Sequence, residues 1–141
     1  MESVRVLLVD DNSTFLRIAT RFLEQDHAVT PPVTPRPRVA VVGTAGGGEE
    51  ALAQAERLSP HVILLDLMMP GVGGLAIIPR LRAILPDVGI IALTLLDTSS
   101  YRSAALAAGA DVFIAKSAMS TDLLPAIQQV IQARQTTGTR V

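Results

Sequence analysis

Val62, Ile63, Leu64 and Leu65 follow one another without a polar break, and the run ends on Asp66. Four consecutive apolar residues with no alternation suit a strand covered on both faces, as in a parallel sheet between helical layers. Pro70 and Gly71 then turn the chain. A carboxylate at the end of a buried strand loses its hydration, and stays ionised only where a cation or hydrogen-bond donors meet it. What Asp66 can do therefore depends on what the other strand ends bring to it.

The same grammar recurs along the chain. Val4 to Val9 reads as a buried strand, followed by Asp10 and Asp11. Asn12 or Ser13 caps a helix whose apolar residues Phe15, Leu16, Ala19, Phe22 and Leu23 recur at helical spacing. From about His27 to Arg38, Pro31, Pro32, Pro35 and Pro37 favour extended chain, so residues 29–37 are expected to form an exposed connecting loop. A second strand covers Val39 to Val42. Gly43, Gly46, Gly47 and Gly48 then form a flexible turn into a helix from about Glu49 to Leu58. After the central strand, Leu75 to Leu85 predicts a helix that Pro79 kinks or whose start it delays. Val88 to Leu93 is the fourth strand, ending at Thr94. Ser99 or Ser100 caps a helix that Gly109 stops. Val112 to Ala115 is the fifth strand, ending at Lys116. A last helix spans about Asp122 to Arg134, with Leu124, Ile127, Val130 and Ile131 as its buried stripe and a frayed tail beyond.

Strands alternating with helices predict one domain over residues 1–134, with 135–141 as tail. The fold class is α/β, a doubly wound five-stranded parallel sheet with helices on both faces. In such sheets ligands bind beyond the carboxyl ends of the strands. Four of the five strands end there in polar groups: Asp10 with Asp11, Asp66, Thr94 and Lys116. Three carboxylates crowded together repel, and a divalent cation resolves the conflict; oxygen donors select Mg²⁺ or Mn²⁺. With no cysteine and two histidines, a zinc site is not expected. A carboxylate can also serve as nucleophile toward phosphorus, given a metal and a second cation on the phosphoryl oxygens. Lys116 supplies that cation and Thr94 a hydroxyl donor. Eleven of the twelve basic residues are arginine, so the one lysine stands out.

On these residues the chain resembles the receiver domain of two-component response regulators. The matching positions are Asp10-Asp11, Asp66 through Pro70 with Gly74, Thr94 and Lys116, and the resemblance covers about Val4 to Arg134. It implies the flavodoxin-like strand order 2-1-3-4-5. It implies that Asp66 accepts a phosphoryl group from a sensor histidine kinase or phosphotransfer protein. Asp10, Asp11, Asp66 and the Met68 carbonyl would hold Mg²⁺, and Thr94 and Lys116 would contact the phosphoryl oxygens. Phe113 falls at the position of the rotameric switch aromatic, coupled to Thr94. The surface of the fourth helix, fifth strand and fifth helix would change, and could support a homodimer. Several positions depart from the pattern: the long proline-rich loop, Leu95 where a small residue is usual, Ser117 where a proline often follows the lysine, and Gly73 for an acidic residue.

The expected activity is a signalling switch rather than an enzyme, limited to self-phosphorylation and self-dephosphorylation. The competing reading is a Mg²⁺-dependent hydrolase with an Asp nucleophile; such enzymes usually carry an acid two residues later, where this chain has Met68. A nucleotide- or flavin-binding module is disfavoured because the first loop opens with two acids, which repel phosphate. A net charge of −1 gives no footprint for nucleic acid. No apolar run reaches the ~18 residues of a membrane span. The expected location is the cytoplasm. The chain is expected either to stand alone and act by docking or to be a piece of a longer regulator.

Overall fold

The computed structural model describes residues 3–25, 38–69, 71, 73–95 and 99–138, with side chains to 134. The expected proline-rich loop lies outside the described residues, as do residues 139–141.

Among the described residues, five strands and five helices alternate: β1 (Val4–Val9), α1 (Ser13–Glu24), β2 (Val39–Ala45), α2 (Gly48–Leu58), β3 (Val62–Asp66), α3 (Gly74–Ile84), β4 (Gly89–Thr94), α4 (Ser99–Ala108), β5 (Val112–Ala115) and α5 (Met119–Gly138). All strand pairs are parallel, in the order β2-β1-β3-β4-β5. Side chains alternate across the sheet and build two cores. Leu7, Val9, Ile63, Leu65, Ile90, Ala92 and Phe113 face one way, packing with Ala51 and Leu52 of α2, Ile77, Ile78 and Leu81 of α3, and Ala105 of α4. Val6, Leu8, Leu64, Ile91, Leu93 and Ile114 face the other way, against Ala19 and Leu23 of α1 and Leu123, Ile127 and Val130 of α5. A strand between two such layers needs apolar residues at every position, which is why Val62 to Leu65 lack alternation. The order of connection reverses between β1 and β3, so a crevice opens beyond their carboxyl ends.

Several boundaries differ from the sequence expectations. β2 continues to Ala45, so Gly43 belongs to the strand and not to a flexible turn. A Cβ there would fall 2.6 Å from Leu58 Cδ1, so glycine lets α2 lie close on this edge strand. The pairing slips between Val6 and Leu7, leaving Val42 as a bulge, a common device on sheet edges. α3 starts at Gly74 and runs to Ile84. Pro79 does not delay its start; the ring is exposed. Ser99 is already helical in α4. Gly109 ends that helix as expected, at φ +125. A 3-10 turn, Lys116–Ala118, leads into α5, which begins three residues before Asp122 and is helical past Arg134 to Gly138. Pro125 is therefore well inside α5 rather than in its opening turn. Leu123 and Ala126 join Ile127 and Val130 in the buried stripe, while Leu124 and Ile131 sit half-buried beside it.

Candidate functional site

The crevice beyond β1 and β3 is lined by the residues that end four strands. Asp10 follows β1 and is 2 % exposed. Its N–H donates to Ala45 O at 3.0 Å, which holds the residue against the end of β2. Its Oδ1 accepts the Asn12 N–H at 2.8 Å. Asn12 in turn caps α1, its Oδ1 accepting the Phe15 N–H at 3.1 Å, so one short turn fixes both the acid and the helix start. Asp11 is exposed. Asp66 closes β3, 3 % exposed, and its Oδ1 accepts the Met68 N–H at 3.0 Å. Thr94 ends β4 fully buried.

Lys116 follows β5 and reaches across to both acids. Its Nζ lies 2.6 Å from Asp10 Oδ2 and 3.7 Å from Asp66 Oδ2. The sequence pointed the ammonium at Asp66; in the fold Asp10 is the nearer partner. Phe15 lies on that side, its ring centroid 4.1 Å from Nζ. Phe113 is buried in β5, with the Arg102 guanidinium 4.9 Å over its ring.

Carboxylate oxygens of Asp10, Asp11 and Asp66 lie within 4.8 Å of one another. One ammonium faces three acids, so the cluster keeps an excess of negative charge. Its donors are hard oxygens, two of the three carboxylates are buried, and the third stays open to solvent. That set fits a divalent cation such as Mg²⁺. The electrostatics appear in Asp66, whose pKa is raised from 3.8 to about 6. Burial is the main cause. The Met68 N–H opposes it, Asp10 adds to it, Lys116 opposes it, and Asp11 adds further.

The fold thus brings together Asp10, Asp11, Asp66 and Lys116, with Thr94 at the neighbouring strand end and Met68 bonded to Asp66 through its backbone. Phe113 stands one strand over, on the face covered by α2, α3 and α4. Sequence reasoning missed Phe15 and Arg102. Phe15 read as an ordinary helix residue, and the only local hint was an aromatic in the first turn after a strand-end acid. Among the described residues, no helix is long and apolar enough to cross a membrane.

Residues 6–128 match the family model of the response regulator receiver domain. The response regulator GacA of Pseudomonas protegens is 33% identical over 132 residues, covering 94% of this chain and 57% of that protein. The chain thus spans little more than half the length of this relative. Among solved structures, a two-component response regulator of the LuxR family from Aurantimonas sp. SI85-9A1 superposes with a TM-score of 0.82 at 27% identity, covering 94% of this chain and 88% of that one. A response regulator from Burkholderia pseudomallei, solved with a phosphorylated aspartic acid, a calcium ion and citrate, gives a TM-score of 0.75 at 28% identity, covering 98% and 74%. With its five parallel strands, its acidic crevice and these matches, the chain belongs to the response regulator receiver domain family.

Proposed function

We propose that Asp66 is the phosphoacceptor of a phosphorylation-controlled switch, and that a sensor histidine kinase or phosphotransfer protein supplies the phosphoryl group. The observation that carries this reading is the setting of Asp66: a nearly buried carboxylate, one oxygen held by the Met68 N–H and the other 3.7 Å from the only lysine. Asp66 Oδ2 attacks the phosphorus of a phosphoimidazole donor. The O–P bond forms as the P–N bond breaks, and the imidazole leaves with the electron pair of that bond. Lys116 and Thr94 meet the phosphoryl oxygens, a positive charge and a hydroxyl against about two negative charges. Asp10, Asp11, Asp66 and the Met68 carbonyl would hold Mg²⁺, which neutralises charge between carboxylate and phosphoryl group. The phosphorylated aspartate and calcium ion of the Burkholderia pseudomallei regulator support both assignments.

Thr94 ends β4 and Phe113 lies in β5, where Thr94 pairs with Ala115 and Ala92 with Phe113. Movement at the phosphoryl group would pass through these paired strands to the surface of α4, β5 and α5. That surface is the proposed site of output, including homodimer formation, in the cytoplasm. The hydrolase alternative has no support here, because position 68, two residues after the nucleophile, is a methionine.

Incubation with acetyl phosphate and Mg²⁺, followed by intact mass measurement, is expected to add one phosphoryl group. Chelation of the metal and Asp66→Asn should each abolish the addition. Labelling that persists in Asp66→Asn, or that ignores the metal, would refute the assignment.

A further inference from the structure

Lys116 is almost wholly enclosed: its side chain is 9% exposed. An ammonium removed from water needs partners on every side. One side is taken by Asp10 Oδ2 at 2.6 Å. A second faces Asp66 Oδ2, at 3.7 Å too far for a hydrogen bond. The Phe15 ring covers a third, its centroid 4.1 Å from Nζ. That is inside the ~6 Å range in which a ring face attracts a cation. The ring also belongs to the turn that carries Asp10: Asn12 accepts the Phe15 N–H, and Asp10 accepts the Asn12 N–H. Asp10, Asn12 and Phe15 therefore form one hydrogen-bonded unit that presents a carboxylate and an aromatic face to the same ammonium.

We propose that Phe15 is a positioning residue for phosphoryl transfer, its ring face holding the Lys116 ammonium in the crevice beside Asp66. The inference rests on Asp66 being the phosphoacceptor. Without the ring, only Asp10 would hold the ammonium from the α1 side. Asp10 is also one of the oxygens proposed to hold the cation, so its hold on the ammonium is open to competition. A neutral aromatic face offers no oxygen to a divalent cation and takes no proton, and it keeps the ammonium close whether or not Asp10 is otherwise engaged. Phe15 would thus act on the reaction through Lys116, without touching the phosphoryl group.

The lone lysine makes the test direct, since lysine labelled with ¹³C at the ε-carbon reports from one position in the chain. In the wild type, the ring current should shield the Lys116 ε-methylene protons, with cross-relaxation to the Phe15 ring protons. Phe15→Leu keeps the apolar bulk and removes the ring; Phe15→Tyr keeps the ring. In the leucine variant the shielding should vanish. Phosphorylation of Asp66 by acetyl phosphate at fixed Mg²⁺ should be roughly two- to thirtyfold slower, the range a cation–π contact supports. The tyrosine variant should restore both, and thermal unfolding should separate these effects from loss of fold. Equal rates in the leucine and tyrosine variants would overturn the proposal. So would unshielded Lys116 ε-protons in the wild type, a result that needs no variant at all. If the wild type itself takes no phosphoryl group, the reading of Asp66 fails, and the ε-proton signal still decides whether Phe15 holds the lysine.

Discussion

Gly74→Ala is expected to cost about 3 kcal/mol of stability, and to disturb Asp66 along with the fold. The reason is where the new methyl group would lie. A Cβ on Gly74 falls 2.4 Å from the Asp66 carbonyl oxygen and 2.7 Å from Leu67 Cα. Both are backbone atoms, so no side-chain rotation relieves the clash. Either α3 backs away from the sheet, exposing Ile77 and Ile78 from a core in which both are fully buried, or the end of β3 shifts. The second path moves the residue whose Oδ1 accepts the Met68 N–H and whose Oδ2 faces Lys116. Thermal unfolding should show a fall of roughly 10 °C for a chain of this size. Any folded fraction should take a phosphoryl group poorly. Gly46→Ala serves as control, because the nearest atom to a Cβ there is Glu50 Oε1 at 3.9 Å, an ordinary contact; a change under about 0.5 kcal/mol is expected. A Gly74→Ala protein as stable as the control would show that the start of α3 is looser than this packing implies.

How far the sequence reaches follows from which signals are local. β3 and β5 were legible to the residue, because an apolar run that ends on a charged residue marks both its burial and its end. The candidate site was legible for a related reason: Asp10, Asp66, Thr94 and Lys116 each stand where an apolar run gives way to a polar residue, and the parallel topology alone puts those ends on one edge. β2 was read three residues short. Gly43 is a poor strand former that reads as the start of a turn, and only the close approach of Leu58 explains a glycine there. The start of α5 was missed because the turn after Lys116 passes into helix without a proline or glycine to mark it. Contacts between distant residues left no trace in the pattern. Arg82 of α3 and Arg134 of α5 both bond Asp111, at 2.7 and 2.5 Å. They tie the far ends of two helices to the loop before β5, and nothing in the spacing pairs them. The Phe15–Lys116 contact spans the chain in the same way.

Asp66→Asn is expected to remove the phosphorylation site and at the same time stabilise the fold at neutral pH in the absence of divalent cation. In the folded chain the Asp66 carboxyl keeps its proton up to about pH 6, whereas 3.8 is the usual value that applies once it is unfolded. Between those limits the native state binds more protons than the unfolded state, so stability falls as pH rises through the window. Above it the whole cost of a buried, repelled carboxylate is present, of the order of 3 kcal/mol. Below about pH 4 that cost is gone, because the carboxyl is protonated in the native state and is becoming so in the unfolded one. Asparagine keeps an oxygen to accept the Met68 N–H, and carries no charge to oppose Asp10 and Asp11. The variant should therefore be more stable than the wild type by about 1–3 kcal/mol at pH 7, and the gap should close steadily as pH falls from 6 to 4. Asp10 and Asp11 are present in both proteins, so the difference isolates Asp66 and its coupling to them. Mg²⁺ should narrow the gap at pH 7, since a cation held by the ionised cluster relieves the same repulsion that asparagine removes. Urea unfolding of both proteins across this pH range reads out each part. Equal stability at pH 7, or a gap that widens toward acid, would show that burial does not strain Asp66, and that its ionised form is already satisfied by Lys116 and the Met68 N–H.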